Sequence, residues 1–348
     1  MHFGSDNWAG AHQAISAALA ANSGGFVPAY GASEIDRAAI EKFNVVFGRE
    51  VAVFFVGTGT AANALALSSV NRPGGVSFCA REAHVIEDEC GAPEFFTGGA
   101  RLHPVDGPLG KIDPDLLRKA IAKFPADFVH HGQPMAVTIT QATEAGTIYS
   151  LDEIGAISTI CREAGIPLHM DGARFANALV SLGVTAAEMT AGVDMVSFGG
   201  TKNGCWCAEA LVVLDPQKAG QVPFLRKRGA QLFSKSRFIA AQFDAYLNDD
   251  LWLEMAAHAN AMAARLAGHV RASPKLRLGW EPEANEVFIV MGRETASQLE
   301  AAGARFYPWS SPQFFRGQLA DSEILTRFVT SFATTAEDVD AFGRLCDS

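Results

Sequence analysis

Cysteine is sparse in this chain and forms no CxxC pair or metal-ligand spacing. Cys79, Cys90, Cys161, Cys205, Cys207 and Cys346 therefore read as reduced thiols of a cytoplasmic protein. His130 and His131 stand at no metal spacing with a nearby Cys or Asp, so no metal site is expected. No run of 18 apolar residues is free of charge, and no membrane span is expected. The opening MHFGSDNWAG lacks a basic region followed by an apolar one, so no secretory leader is expected. Basic residues are the minority, 28 against 38 acidic, for a net charge of −10. That balance argues against nucleic acid and anionic membranes as partners. No repeat or low-complexity tract appears.

Apolar residues make up 49% of the 348, enough for a large core. From about residue 50 to 215, short apolar runs alternate with helical stretches. Strands are expected at 51–56, 75–80, 136–140, 167–170, 194–198 and 210–214. Helices are expected at 60–70, 151–164 and 175–182. This β-α-β alternation predicts an α/β fold, a mostly parallel sheet with helices on both faces. Residues 224–270 read as long and helical. A smaller α/β unit follows, with strands at 286–291 and 326–332 and a last helix at 335–346. Thr334 and Glu337 stand at capping-box spacing before that helix. The expected division is 1–250 for a large unit and 251–348 for a small one.

Three motifs carry chemistry. Gly57-Thr58-Gly59-Thr60 follows a strand and opens a helix. Glycines let backbone approach an anion, and a helix N-terminus offers free N–H groups. A tight turn with a Thr N-cap explains the same residues. Asp171 ends a strand, where open α/β sheets bind ligands, and could hold a cationic ring nitrogen. A loop Asp capping the next helix is the plainer reading. Arg174, three residues on, could face the same cleft or solvent. Lys202 sits in Ser197-Phe198-Gly199-Gly200-Thr201-Lys202-Asn203-Gly204, where small neighbours could leave room for a flat aromatic aldehyde. A glycine-rich hairpin with a solvated lysine is the alternative. An anion cup, a carboxylate and a lysine in this order suit pyridoxal 5'-phosphate.

The stretches FFVGTGTAANALAL, EAHVIEDECGAPEFF, TITQATEAGTIY, LHMDGARFANA and SFGGTKNG carry a family resemblance. In that order they resemble the low-specificity L-threonine aldolases, most of all the bacterial branch that includes phenylserine aldolases. The resemblance implies a fold-type-I, pyridoxal phosphate-dependent transferase-like fold with a smaller C-terminal domain. It implies cleavage of L-threonine, L-allo-threonine or phenylserine-type substrates to glycine and an aldehyde. A β-eliminating lyase or a transaminase on a small amino acid is the alternative. It further implies a homo-oligomer, a dimer of dimers, with the site at a subunit interface.

By the same resemblance Lys202 is the Schiff-base lysine and Asp171 pairs with the ring nitrogen. Thr58, Gly59 and Thr60 would hold the phosphate, and His84 would stack on the ring. Arg174 would contact the cofactor or the substrate carboxylate, which Ser5 and Arg327 would grip. Residues 1–14 would thereby contribute to the site, and Tyr30 would stand near it. Glu144 occupies the place of a second histidine found in many members, so a carboxylate raised by burial could serve as the base. Lys235 or Arg237 of a neighbouring copy could approach the phosphate.

Overall fold

The computed structural model describes residues 1–125 and 127–347; residue 348, the end of the expected smaller unit, lies outside them. Seven short strands form the main sheet. They are β1 (Ala52–Val56), β2 (Gly75–Ala80), β3 (Arg101–Val105), β4 (Gln133–Thr140), β5 (Leu168–Gly172), β6 (Met195–Gly199) and β7 (Glu209–Val213). Their spatial order is β1-β7-β6-β5-β4-β2-β3. β7 runs antiparallel to both neighbours, and the remaining pairs are parallel. Two reversals leave β1 pointing the same way as β6. The C-terminal ends of β1, β2, β4, β5 and β6 therefore share one edge. Glu209 opens β7 on that edge, opposite Val56 and Gly199.

Most of these strands are buried along their whole length, as expected for a parallel sheet covered on both faces. The helix Glu34–Phe47 shows how a cover forms. Ala39, Phe43 and Phe47 recur every four residues and are buried, giving one apolar face. Ser33 and Asp36 form a capping box at its start, and Gly48 ends it in a left-handed conformation. Phe43 then meets Phe198 of β6 at 5.0 Å and Phe243 at 5.1 Å, both edge to face.

A second, antiparallel sheet has the order β10-β11-β9-β8, with β8 Leu276–Leu278, β9 Glu286–Gly292, β10 Tyr307–Pro308 and β11 Glu323–Val329. Its core includes Val287, Ile289, Phe328 and Phe342, and also Phe3 from the start of the chain. Phe3 N donates to Arg305 O at 2.7 Å, and Val329 N donates to Phe3 O at 2.8 Å. The N-terminus is thus tied to the second sheet, which fixes where Ser5, Asp6 and Asn7 emerge.

The alternating strands and helices of 50–215 fall as expected, within a few residues at each end. β3 was not anticipated; it is an edge strand with a proline and little burial, so it lacks an apolar run. The stretch 224–270 is three helices, Val222–Arg228, Arg237–Tyr246 and Leu251–Ala272, not one. Asp249 and Asp250 adopt φ 49 and 56, a left-handed turn that Asp tolerates and a helix does not. The last helix is capped one residue later than expected: Asp338 N donates to Thr335 Oγ1 at 3.2 Å. Thr334 instead accepts from Ser331 N at 2.9 Å. No helix among the described residues is long and apolar enough to cross a membrane.

Candidate active site

A cavity of about 490 Å³ lies on the shared strand edge. Thr58, Gly59 and Thr60 reach it from the end of β1, His84 from β2, Glu144 from β4, Asp171 and Arg174 from β5, and Lys202 from β6. Ser5 enters from the N-terminus and Arg327 from β11. Residues spread over more than 320 positions meet because parallel strands point one way.

Thr58 Oγ1 caps the helix Gly59–Ser69 by accepting from Ala61 N at 3.1 Å. The first intrahelical bond is made by Ala62 N to Thr58 O, so the N–H groups of Gly59 and Thr60 precede it. A Cβ added at Gly59 would meet nothing within 4 Å, whereas one at Gly57 would lie 2.9 Å from Phe233 Cζ. Space for an anion therefore opens at Gly59. The glycines around Lys202 have a different job from the one expected. A Cβ at Gly199 would lie 2.8 Å from Ala173 O, and one at Gly200 2.8 Å from Ala208 O. They let backbone pack on backbone and do not open the cavity. Lys202 itself follows them in a short 3-10 turn, Thr201–Asn203.

Asp171 is buried, and both oxygens are held. Oδ1 accepts from Ala173 N at 3.0 Å and Oδ2 from Asn63 Nδ2 at 2.7 Å. The same Asn63 amide nitrogen donates to Glu89 Oε1 at 2.7 Å, and Glu89 Oε1 lies 3.0 Å from His84 Nδ1. His84, Glu89, Asn63 and Asp171 thus form one chain of hydrogen bonds under the cavity. The bond to Glu89 holds the His84 imidazole above its ordinary pKa. Burial pushes the Glu89 carboxyl up, with His84 pulling it back. Asn63 and Glu89 were missed by sequence reasoning. Their signal was faint: Asn63 stands alone among Ala and Leu on a buried helix, and Glu89 is one acid among three in a row.

Glu144 accepts from the His84 backbone N–H at 2.7 Å through Oε1. Its Oε2 is buried without a partner, and among the described residues Glu144 makes no ion pair. Burial, reinforced by the nearby Asp171 charge, pushes its carboxyl up to about 7. Glu209, also missed, borders the cavity and accepts from Thr201 N at 3.3 Å. Burial raises its carboxyl to about 7 as well.

Arg174 does not stand free. Its Nε and Nη2 donate to Asp6 at 2.8 and 3.3 Å. Its Nη1 lies 3.1 Å from Glu286 Oε2, and Arg327 Nη1 lies 3.5 Å from Glu286 Oε1. Neither contact to Glu286 is aligned as a hydrogen bond. Burial opposes both charges of the Arg174–Asp6 pair, yet the partners prevail: Arg174 is held above its ordinary pKa and Asp6 below. Arg327 also lies over the Trp309 ring, 4.1 Å from its centre, and keeps a buried Nε without a partner. Asp6, Glu286 and Trp309 carry no motif and were not anticipated.

Three expected residues are not brought to the cavity by this chain. Tyr30 is 54% exposed at φ 59, under Lys227 Nζ at 5.7 Å. Lys235 is exposed. Arg237 Nη1 donates to Gly24 O at 3.0 Å, on the loop that precedes Tyr30.

The fold is that of fold-type-I pyridoxal phosphate enzymes. It superposes on a serine palmitoyltransferase of Sphingomonas wittichii with a TM-score of 0.72 at 15% identity, over 100% of this chain and 86% of that one. A threonine aldolase of Leishmania major matches with a TM-score of 0.92 at 28% identity, over 99% of this chain and 98% of that one. A low specificity L-threonine aldolase of Pseudomonas aeruginosa is 42% identical over 88% of each chain. Residues 2–293 match the Beta-eliminating lyase family. The chain belongs to that family, among the low-specificity L-threonine aldolases.

The Arg174 cluster gives a stability test. Asp6→Asn keeps the shape but removes one anion from a buried set of two cations and two anions. Loss of a buried partner should cost about 3 kcal/mol in urea unfolding. A change within about 0.5 kcal/mol, as for a surface site, would show that Asp6 contributes nothing.

Proposed function

We propose that this chain binds pyridoxal 5'-phosphate in the cavity and cleaves β-hydroxy-α-amino acids, threonine and phenylserine types included, to glycine and an aldehyde. The observation that carries the reading is one cavity edged by a lysine amine, a buried carboxylate and an open helix N-terminus. The residues fit the cofactor. Gly59 and Thr60 N–H groups, with the Thr58 hydroxyl, would take the phosphate. Asp171, pinned by Asn63 and Ala173, would accept the ring N–H. Lys202 Nζ would carry the group covalently, and His84 would cover its ring. When bound, the cofactor supplies the electron sink into which the Cα–Cβ bond breaks.

The protein's own groups do the rest. Arg327 has donors to spare and would grip the substrate carboxylate together with Ser5. Arg174 is largely committed to Asp6 and Glu286, so its part is to hold that corner in place. Glu144 would take the proton of the β-hydroxyl at its unpartnered Oε2. A carboxyl raised to about 7 is half ionised near neutral pH, which suits a base. In this reading residues 1–250 carry the cofactor and 251–348 close the substrate side through Trp309 and Arg327.

The same proposal makes the protein a cytoplasmic homo-oligomer, a dimer of dimers. Phe26, Tyr30, Trp206 and Phe224 are all more than half exposed, an unusual outlay of aromatic surface for a lone chain. Tyr30, Lys235 and Arg237 would then be offered by one copy to the cavity of another.

Incubation with L-threonine should yield glycine and acetaldehyde; ammonia with a keto acid instead would mean β-elimination. The protein should be yellow, with an absorbance band abolished by borohydride. Lys202→Ala should lose both band and turnover, and retained turnover would move the covalent link elsewhere. An ionised base predicts that kcat rises with pH through about 7, as Glu144 gives up its proton. Glu144→Gln should remove that limb and lower kcat by about a hundredfold. An unchanged kcat takes Glu144 out of the proton path. Sedimentation at the mass of a single chain would sink the oligomer.

A further inference from the structure

Glu209 is a buried carboxyl of the cavity to which the aldol step gives no task. It opens β7 opposite Val56 of β1 on one side and Gly199 of β6 on the other. Val56 leads directly into Gly57 and the phosphate cup, and Gly199 leads into Thr201 and Lys202. The segment before β7 packs on the same turn, with Cys207 Sγ donating to Gly57 O at 3.1 Å. Glu209 therefore lines the cavity together with Thr58, Gly59, Thr60 and Thr201. Thr201 holds it, the N–H donating to Oε1 at 3.3 Å. Among the described residues no cation is paired with it, because the cavity's other cations are engaged elsewhere. Arg174 and Arg327 stand at Glu286, and His84 stands at Glu89.

We propose that Glu209 is a ligand of the cofactor's phosphate in its neutral, protonated form, and that loading the cofactor draws one proton from solvent onto this carboxyl. The proposal rests on the reading of Gly57–Thr60 as the phosphate cup. A phosphate dianion in that cup meets N–H groups and hydroxyls, while both guanidinium groups of the cavity are held at Glu286. An ionised carboxylate beside it, little screened by water, repels it. A carboxylic acid instead donates its O–H to a phosphate oxygen and turns the repulsion into a hydrogen bond. Oε1 is engaged by the Thr201 N–H, which leaves Oε2 to carry the proton. Burial pushes this carboxyl up to about 7, with Thr201 and Lys202 lowering it and Asp171 raising it, so the proton is within reach near neutral pH. Three other titratable groups feel its charge: Cys205 and Cys207 on the segment before β7, and Tyr246 on the helix Arg237–Tyr246. All three are pushed above their ordinary values and are neutral near pH 7. β1 and the helix Gly59–Ser69 bring no titratable side chain. Lys202 and Asp171 are therefore the charges that act on Glu209 before the phosphate arrives.

Calorimetry on the full-length chain, freed of cofactor, tests this. The probe is pyridoxamine 5'-phosphate, which has no aldehyde and binds without a bond to Lys202. Pyridoxamine, which lacks the phosphate, is the control. Titrations at pH 8 in two buffers of different ionisation enthalpy count the protons taken up on binding. The phosphorylated probe should take up about one proton more than the control, because Glu209 is mostly ionised at that pH before binding. Glu209→Gln offers a neutral donor at every pH, so the extra proton should vanish. That variant should also bind the phosphorylated probe about tenfold tighter than wild type at pH 8, and equally at pH 6. Equal proton uptake with both probes overturns the proposal, since the proton then belongs to the ring or to Lys202. Unchanged uptake in Glu209→Gln overturns it as well. So does weaker binding by that variant at both pH values, the mark of a purely structural side chain. Wild-type protein that binds neither probe overturns the phosphate-cup reading along with the proposal.

Discussion

The buried charge cluster at Arg174 holds three distant parts of the chain to one point. Arg174 comes from the end of β5, Asp6 from the N-terminal segment, and Glu286 from the start of β9. Arg327 of β11 joins through the same Glu286. Charges taken out of water must find partners, so each element is obliged to reach this place. Elements of both sheets thereby meet at the cavity. Phe3 supports the arrangement by anchoring the N-terminus in the second sheet.

Around that point the site divides its labour by sheet. The large sheet supplies the groups suited to a cofactor: the open helix start at Gly59, the pinned Asp171 and the amine of Lys202. The small sheet supplies groups suited to the variable partner, Arg327 and Trp309. Between them run two carboxyls raised by burial, Glu144 and Glu209, each about 7. Low local polarity is what raises them, and it comes from the strand ends packed around them. The raised pKa of both carboxyls is a consequence of burial in the fold.

Asp171 illustrates how rigidity is built. Its two oxygens are fixed by a backbone N–H and by Asn63, and Asn63 is itself fixed by Glu89, which orients His84. A carboxylate held this way keeps its direction without a salt bridge. The chain of bonds also couples Asp171 to His84. His84 and Asp171 come from different strands, and only the intervening Asn63 and Glu89 make them one unit.

Sequence alone determined the alternation of strands and helices between residues 50 and 215, and marked the Gly57–Thr60 turn, Asp171 and Lys202 as unusual residues at strand ends. Apolar runs bounded by glycine, and a polar residue at a strand end, are local signals. The lysine's glycines were legible as unusual but misread: they serve backbone packing, which only contacts reveal. Tertiary structure decided everything that depends on long-range pairing. It chose Asp6 and Glu286 as the partners of Arg174, joined Asn63 and Glu89 to the Asp171–His84 axis, and left Glu144 Oε2 unpartnered. It also placed Trp309 at the cavity and kept Tyr30, Lys235 and Arg237 outside it. The physical reason is that burial and partnership belong to the space between elements, and no window along the chain contains that space.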